Sequence, residues 1–193
     1  MNAKKKYLFL AAELIMIIVL AFADQVFKRL AVDRLKDAPP FVLIDEVLCL
    51  HYLENHGAAF GMLQNKQILF IIIALVFLIA AILILLWVPA MKKYLLLRAS
   101  IVMIAAGAAG NLIDRFLQGY VVDYIYFEYI DFPIFNFADI LVSLGCIMLV
   151  LLVLFFYKEE ELDFKKAGEV RIHSSMRQAD EKKSEAEMAG DKP

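Results

Sequence analysis

Three aspartates and one arginine lie close together in an otherwise apolar part of the chain. The segment GNLIDRFLQGYVVDYI, residues 110–125, contains Asp114, Arg115 and Asp123, and Asp139 follows in FNFADI. Two neighbouring carboxylates can share one proton, because like charges at short distance cannot both ionise. Such a pair can take a proton from one reacting group and give a proton to another, which is general acid–base chemistry. A carboxylate beside lipid is costly, so these acids are candidates for a functional site.

The composition indicates a membrane protein. The chain has 193 residues, of which 62% are hydrophobic, a net charge of −2 and a mean hydropathy of +0.69. These values are too apolar for a soluble domain of this size. Four runs are long enough, or nearly so, to cross a hydrocarbon core of about 30 Å; they are residues 7–23, 68–88, 94–113 and 137–157. We therefore predict an all-α membrane protein with four transmembrane helices.

Positive charge beside the runs predicts the orientation of the chain. Lysines 4–6 precede the first run, and Lys92, Lys93 and Arg98 surround the short turn between the second and third. Clusters of this kind mark the cytoplasmic side, which places both termini in the cytoplasm and the longer loops outside. Arg98 is expected to extend its side chain to the inner interface. The opening also resembles a cleavable secretory signal with AFA before Asp24, although retention of the first run is favoured.

Outside the four runs, one segment predicts structure and another predicts disorder. Residues 24–36 continue the first helix or form an amphipathic turn at the interface. Residues 39–63 are rich in apolar and β-branched residues, which predicts a small extracytoplasmic, β-rich cradle within the outer loop 24–66. Half of residues 158–193 are charged, with mixed signs. We predict that residues 1–157 form the membrane domain and that the rest is a disordered cytoplasmic tail.

The polar residues gather at one end of the predicted helices. Each run carries polar groups where it meets the outer interface, and a bundle of four helices would bring these groups into one layer. The residues are Asp24, Asn55, Asp114, Arg115, Asn136 and Asp139, and Asp123 lies in the loop between the last two runs. The layer therefore has the character of a site.

Local spacing supports this interpretation. Gly107, Asn111 and Asp114 are spaced i, i+4, i+7 and share one helix face. The run AAGAAG, residues 105–110, permits close approach of a neighbouring backbone, although these glycines could serve packing alone.

Each polar group also has a purely structural interpretation. Asn136 and Asp139 could cap a helix start, and Asp24 with Lys28 could be an ordinary i, i+4 pair. Arg115 is expected to pair with an acid across the bundle, and Asp114 to anchor a loop. Glu13 lies inside the first run with no identified partner.

Metal and nucleophile chemistry have little support in the sequence. His51, His56 and His173 lack the spacing of metal ligands, so neither a metal nor a cofactor is expected. Ser100 and Ser143 have no histidine or lysine at a plausible depth beside them. Cys49 and Cys146 fall in the outer loop and in a run, too far apart for a disulfide. The mixed charges form no nucleic-acid patch.

Five short motifs, in order along residues 7–157, resemble the lipoprotein signal peptidase (signal peptidase II) family. They are DQ at 24–25, ENHGAAFG at 54–61, GAAGNLIDR at 107–115, VVDYI at 121–125 and FNFAD at 135–139. His56 departs from the pattern, because threonine is often found there, and the charged tail is long for the family. The series is specific because all five motifs occur in order on a matching four-span layout.

The resemblance implies an aspartic endopeptidase of the bacterial cytoplasmic membrane. It would remove signal peptides from prolipoproteins by cutting before a diacylglyceryl-modified cysteine, with membrane lipids around it and as a monomer. By motif position, Asp123 and Asp139 would be the catalytic pair. The residues that would line or support the site are Asn55, Gly107, Asn111, Asp114, Arg115, Asn136, Asp24 and Lys28. Asn55, in a glycine-containing loop at the mouth of the bundle, is expected to hydrogen-bond the substrate backbone.

Two other classes of protein remain possible from the residues. A small ion-coupled transporter would place its acids near the middle of the bilayer, where only Glu13 lies. A membrane scaffold would explain the spans and the packing glycines but not five polar motifs at one depth.

Overall fold

A computed structural model describes residues 3–57 and 66–162, with side chains from Lys6 onward. It contains four long helices, which are α1 (Ala3–Leu35), α2 (Gln67–Trp87), α3 (Leu95–Leu117) and α4 (Phe137–Leu151). Three strands accompany them: β1 (Phe41–Ile44), β2 (Leu48–Asn55) and β3 (Val121–Phe127). Four helical segments are long and apolar enough to cross a membrane. The predicted fold class is thereby confirmed.

Helix α1 extends well beyond the first apolar run. Its 33 residues span about 50 Å at 1.5 Å per residue, which exceeds the thickness of a bilayer core. The helix therefore passes through Asp24 without a break and ends at Leu35. Of the two alternatives for residues 24–36, helix continuation is correct. As a result, Asp24 and Lys28 lie within the body of a helix and on the same face.

The three strands form one antiparallel sheet in the order β1-β2-β3. The first two strands lie in the predicted β-rich segment, but β3 was not predicted, because Asp123 was assigned to a loop. Its sequence VVDYIYF is nevertheless typical of a strand, with β-branched and aromatic residues. Strand β2 pairs Leu50 with Ile125 and Leu53 with Asp123. Between these two pairs, two residues of β2 lie opposite one residue of β3. Such a bulge twists a strand and redirects side chains.

Small residues allow α3 and α4 to pack closely. Ala105, Ala106 and Ala138 are almost fully buried, and Gly107 of α3 faces the backbone of α4. An ideal Cβ at position 107 would overlap the carbonyl oxygen of Ala138 and lie 2.7 Å from Val142 Cγ2. Glycine at this position therefore sets the distance between the two helices.

Arg98 forms a buried ion pair that the sequence did not predict. Its side chain is buried at 2% exposure and forms a two-pronged ion pair with Glu13 of α1, with Nε 2.5 Å from Oε1. It also donates to the carbonyl oxygen of Val88, just after α2. A buried carboxylate needs a partner, and Arg98 is the partner that Glu13 lacked in the sequence.

From Leu152 the chain forms a separate unit. A π-helical turn covers Leu152–Phe156, and a short helix, α5, covers Glu159–Leu162. Most of the predicted disordered tail, residues 163–193, lies outside the described residues.

The Glu13–Arg98 pair provides a test of the packing. Arg98→Met leaves a buried carboxylate unpaired, so we expect it to lower the free energy of unfolding in detergent by about 3–5 kcal/mol. The double variant Glu13→Leu/Arg98→Met removes both charges and should recover much of that loss. Arg29 pairs with Asp33 on the same helix, but both side chains are exposed, so Arg29→Met should change stability by about 0.5 kcal/mol or less. An Arg98→Met protein as stable as Arg29→Met would contradict this account.

Candidate active site

Asp123 and Asp139 line one cleft. Its volume is about 490 Å³, and its wall also includes Asn55, Asn111 and Arg115. Asp123 comes from β3, next to the bulge, and Asp139 from the first turn of α4. One residue, Asn136, contacts both carboxylates: its side-chain amide donates to Asp123 and its backbone N–H donates to Asp139. The structure thus brings together the two acids that the motifs single out.

Asp123 is held as an acceptor of two hydrogen bonds. Asn136 Nδ2 donates to its Oδ1 at 2.6 Å, and Asn55 Nδ2 donates to its Oδ2 at 2.8 Å. The side chain is buried, with 1% exposure. Burial, followed by the nearby charge of Asp139, raises the pKa of Asp123 to about 7, although the two amide donors partly oppose the shift. A carboxyl group with this pKa can carry a proton at neutral pH.

Asp139 caps a helix and also faces the cleft. Asn136 Oδ1 accepts from the backbone N–H of Asp139 at 3.0 Å, and Asp139 Oδ2 accepts from the backbone N–H of Asn136 at 3.1 Å. This reciprocal arrangement is a capping box. The other carboxylate oxygen, Oδ1, accepts from Asn111 Nδ2 at 2.8 Å. Asp139 therefore caps the start of α4 and lines the cleft at the same time, because its carboxylate has two oxygens.

Asp24 fixes the start of α4 from a different helix. Its Oδ1 accepts from the backbone N–H of Ala138 at 2.9 Å, an N–H with no partner inside the helix. Its Oδ2 forms an ion pair with Lys28 at 2.8 Å. Gly110 makes room for this carboxylate, since an ideal Cβ there would lie 2.5 Å from Oδ2. Asp24 therefore positions the backbone immediately before Asp139.

Asp114 anchors the start of β3, where the sequence predicted that it would anchor a loop. Its Oδ2 accepts from the backbone N–H of Val122 at 3.1 Å and forms an ion pair with Lys28 at 3.0 Å. Its Oδ1 accepts from Gln25 Nε2 at 2.9 Å, and the same nitrogen also donates to the carbonyl oxygen of Gly110 at 3.1 Å. Gln25 was not among the predicted site residues. Its place in the DQ motif was the signal that could have identified it.

Arg115 does not pair with an acid across the bundle, contrary to expectation. Among the described residues it forms no salt bridge. Its guanidinium lies 4.9 Å from the ring centre of Phe70 and donates to the carbonyl oxygens of Gly57 and Asn111, both at 3.4 Å. Because it lines the cleft, this cation can interact with negative charge that develops there.

Asn55 also differs from expectation, because its side-chain amide is already occupied. Its Oδ1 accepts from the backbone N–H of Gly57 at 2.9 Å while its Nδ2 donates to Asp123. The sequence suggested a hydrogen bond to substrate backbone. In the structure, Asn55 instead orients the Asp123 carboxylate.

The remaining wall of the cleft is apolar. It includes Phe70, Val121, Phe132, Pro133, Ile134, Phe135, Ile140 and Leu144. Phe135 packs against both Phe127 and Phe132, with ring centres 5.8 Å apart in each case. Ser143 also lines the cleft, but its hydroxyl makes no hydrogen bond to another described residue. The cleft therefore joins two polar acids to an apolar surface, which suits hydrolysis of a peptide that carries apolar groups.

Comparison with known proteins gives one consistent result. Residues 15–155 match a family model described as signal peptidase (SPase) II. The chain is 42% identical over 159 residues to the lipoprotein signal peptidase of Clostridium tetani, covering 80% of this chain and 97% of the relative. It is also 42% identical to the lipoprotein signal peptidase of Clostridioides difficile, covering 74% of this chain and 95% of that relative.

Solved structures give the same fold. A bacterial membrane enzyme determined by the in meso method at 2.3 Å resolution superposes with a TM-score of 0.67 at 32% identity. The superposition covers 77% of this chain and 93% of that chain. A second such structure, at 1.9 Å resolution, gives a TM-score of 0.65 at 32% identity and covers 76% and 95%.

The close approach of α3 to α4 predicts the effect of Gly107→Ala. The added methyl group meets a backbone oxygen that cannot rotate away, so the two helices must separate. We expect the free energy of unfolding in detergent to fall by about 1–3 kcal/mol, the usual cost of overpacking. Ala99→Val adds bulk at an exposed position of the same helix and should have little effect. Equal stability of the two variants would show that Gly107 does not set the helix distance.

Proposed function

Since the chain belongs to the signal peptidase II family, we propose that Asp123 and Asp139 are the catalytic pair with which it acts on its substrates. The chain is a membrane aspartic endopeptidase that removes signal peptides from prolipoproteins by cleaving before the diacylglyceryl-modified cysteine. The family and the activity implied by the sequence motifs are thereby confirmed. The assignment of individual residues is our proposal.

One observation carries the assignment: two carboxylates from separate elements line the same cleft and are joined through Asn136. Burial and mutual charge make simultaneous ionisation unfavourable, as the raised pKa of Asp123 indicates. The pair therefore holds one proton over part of the pH range. One carboxylate can accept a proton while the other donates one, which hydrolysis of an amide requires.

The proposed reaction needs only water and the pair. The ionised carboxylate takes a proton from water as the oxygen attacks the scissile carbonyl carbon, and the protonated carboxyl gives its proton to the carbonyl oxygen. As the C–N bond of the resulting tetrahedral intermediate breaks, the carboxyl that took the water proton gives it to the departing nitrogen of the modified cysteine, and the other carboxylate takes a proton from a hydroxyl of the intermediate. The signal peptide is released with a new carboxyl group, and the pair regains its single proton.

The other predicted residues serve the pair in two ways. Asn55, Asn111 and Arg115 line the cleft, and we infer that they can meet substrate as well as support the acids. The remaining residues position α3, α4 and β3 around the cleft without lining it: Gly107, Asp114, Asn136, Asp24 and Lys28. None of these five lines the cleft.

The chain is a multi-pass protein of the bacterial cytoplasmic (inner) membrane. We propose that both termini are cytoplasmic and that the cleft lies near the outer face, at the opposite end of α3 from Lys92 and Lys93. There, the lipid of a substrate could remain in the bilayer while its peptide bond reaches the acids. The pair and its partners come from a single chain, which supports action as a monomer. Residues 158–193 contribute nothing to the site as proposed.

A transporter explains the structure less well. Glu13, the deep acid that would carry protons, forms a buried ion pair with Arg98, and the two acids of the cleft come from β3 and from the start of α4. A serine nucleophile is also disfavoured, because Ser143 has no described hydrogen bond to a general base.

The pair predicts a specific set of variant activities. Asp123→Asn and Asp139→Asn keep shape and hydrogen-bonding capacity but cannot transfer a proton, so each should abolish cleavage of a lipid-modified prolipoprotein. The double variant should be no worse than either single one, because the two acids act as a unit. Ser143→Ala and Asp45→Asn should remain active. Substantial cleavage by either single Asn variant, measured on folded protein in detergent, would refute the pair.

The raised pKa of Asp123 predicts how activity depends on pH. The pair must hold one proton, and the carboxyl with the raised pKa keeps that proton until the pH approaches about 7. The rate under saturating substrate should therefore fall as the pH rises through that region, and the whole profile should be bell-shaped. A rate that stays constant from pH ~5 to ~9 would be inconsistent with a shared proton.

A further inference from the structure

Three asparagine amides point their NH₂ groups at the catalytic pair. Asn55 and Asn136 donate to Asp123, and Asn111 donates to Asp139. An amide can present either its nitrogen or its oxygen in a given direction, so each orientation needs a cause. The cause lies at the other end of each amide, where a group that can only donate faces the oxygen.

For two of the amides this group is a backbone N–H. The N–H of Gly57 donates to Asn55 Oδ1, and the N–H of Asp139 donates to Asn136 Oδ1. For Asn111 it is a charged side chain, because Lys28 Nζ donates to Asn111 Oδ1 at 2.9 Å. Asn136 Nδ2 donates to the same oxygen at 3.1 Å. Lys28 is thus the only cation among these four donors, and a side chain, unlike a backbone N–H, can be removed by substitution.

Lys28 has no alternative arrangement at this site. Its side chain is buried at 2% exposure, and its ammonium has three acceptors: Asp24 Oδ2, Asp114 Oδ2 and Asn111 Oδ1. An ammonium has three donors and no acceptor. The oxygen of Asn111 must therefore face Lys28, and its nitrogen must face Asp139 Oδ1, which it contacts at 2.8 Å.

We propose that Lys28 is a positioning residue for catalysis: by holding the Asn111 amide with its NH₂ on Asp139, it keeps Asp139 as the ionised, water-activating member of the pair and leaves the proton on Asp123. This inference rests on the proposed function of the two acids. It names the member of the pair that activates water and a residue outside the cleft that determines this choice.

The charges around Asp139 favour this division of roles. Arg115 lines the same cleft and supports a negative charge there. Lys28 forms ion pairs with two acids, Asp24 and Asp114, and these acids offset its positive charge. Its influence on Asp139 therefore passes mainly through the orientation of Asn111. Burial and the charge of Asp139 raise the pKa of Asp123, which is 1% exposed, while its two amide donors and the charge of Lys28 act to lower it. The net shift is upward, which agrees with a proton on Asp123.

The test is the pH profile of Lys28→Met, measured on full-length protein with a lipid-modified prolipoprotein. Without the ammonium, the oxygen of Asn111 keeps only the donor from Asn136, and the Asn111 amide is held less firmly against Asp139. The negative charge of the pair is then less well supported, so the acid limb of kcat should move upward by about one pH unit, and kcat should fall about tenfold or more. KM should change little, because Lys28 does not line the cleft.

A double-variant cycle separates action through Asn111 from general damage. Asn111→Ala should move the acid limb in the same direction, and adding Lys28→Met to Asn111→Ala should have little further effect on kcat. Arg29→Met removes a cation from the adjacent, exposed position of α1 and should leave the profile unchanged. Effects of Lys28→Met and Asn111→Ala that multiply, or an acid limb that stays in place, would overturn the inference.

Loss of the buried cation could prevent folding, and a charge-balanced comparison covers that outcome. Lys28→Met combined with Asp114→Asn removes one positive and one negative charge and is compared with Asp114→Asn alone. The added Lys28→Met change must still move the acid limb upward, and an unmoved limb refutes the role of Lys28. The failure of the catalytic pair itself is distinguishable, because it would appear as cleavage by Asp123→Asn or Asp139→Asn.

Discussion

The arrangement of the site depends on one buried ammonium shared by two helices. Lys28 of α1 binds Asp24 on its own helix and reaches Asp114 and Asn111 of α3. A lysine buried this deeply must be paired and hydrogen-bonded, and among the described residues its contacts use all three of its donors. Each partner then acts on a different element: Asp24 on the start of α4, Asp114 on the start of β3, and Asn111 on Asp139.

This arrangement explains why polar groups are tolerated at the end of an apolar bundle. Every carboxylate oxygen of the pair receives an N–H donor, and among the described residues no buried side-chain polar atom lacks a partner. Small residues make the geometry possible, since Gly107 and Gly110 admit the backbone of α4 and the carboxylate of Asp24. The site is therefore held rigidly by contacts made behind the cleft, while the cleft itself keeps an apolar wall for its substrate.

The sequence predicted the elements better than their contacts. Membrane helices can be recognised from their length and hydropathy, because in lipid every backbone polar group must form its hydrogen bond within the segment. The ion pair of Glu13 with Arg98 was not predictable, since its members lie 85 positions apart. Strand β3 was missed although its β-branched and aromatic residues are typical of a strand, because the whole segment between the last two runs was assigned to a loop. The order of the motifs singled out Asp123 and Asp139 as the proposed catalytic pair. Which of the two holds the proton depends, in our proposal, on the orientations of the asparagine amides, and these are set by contacts between residues distant in sequence.

If Asp123 and Asp139 deliver water directly to the peptide bond, no covalent enzyme intermediate forms. This is tested by cleavage of a lipid-modified prolipoprotein in heavy-oxygen water with added hydroxylamine, followed by mass spectrometry of the released signal peptide. Direct attack by water gives a free carboxyl group containing one heavy oxygen and no hydroxamate at any hydroxylamine concentration. A hydroxamate product that increases with hydroxylamine would reveal an acylated side chain and would rule out direct attack by water.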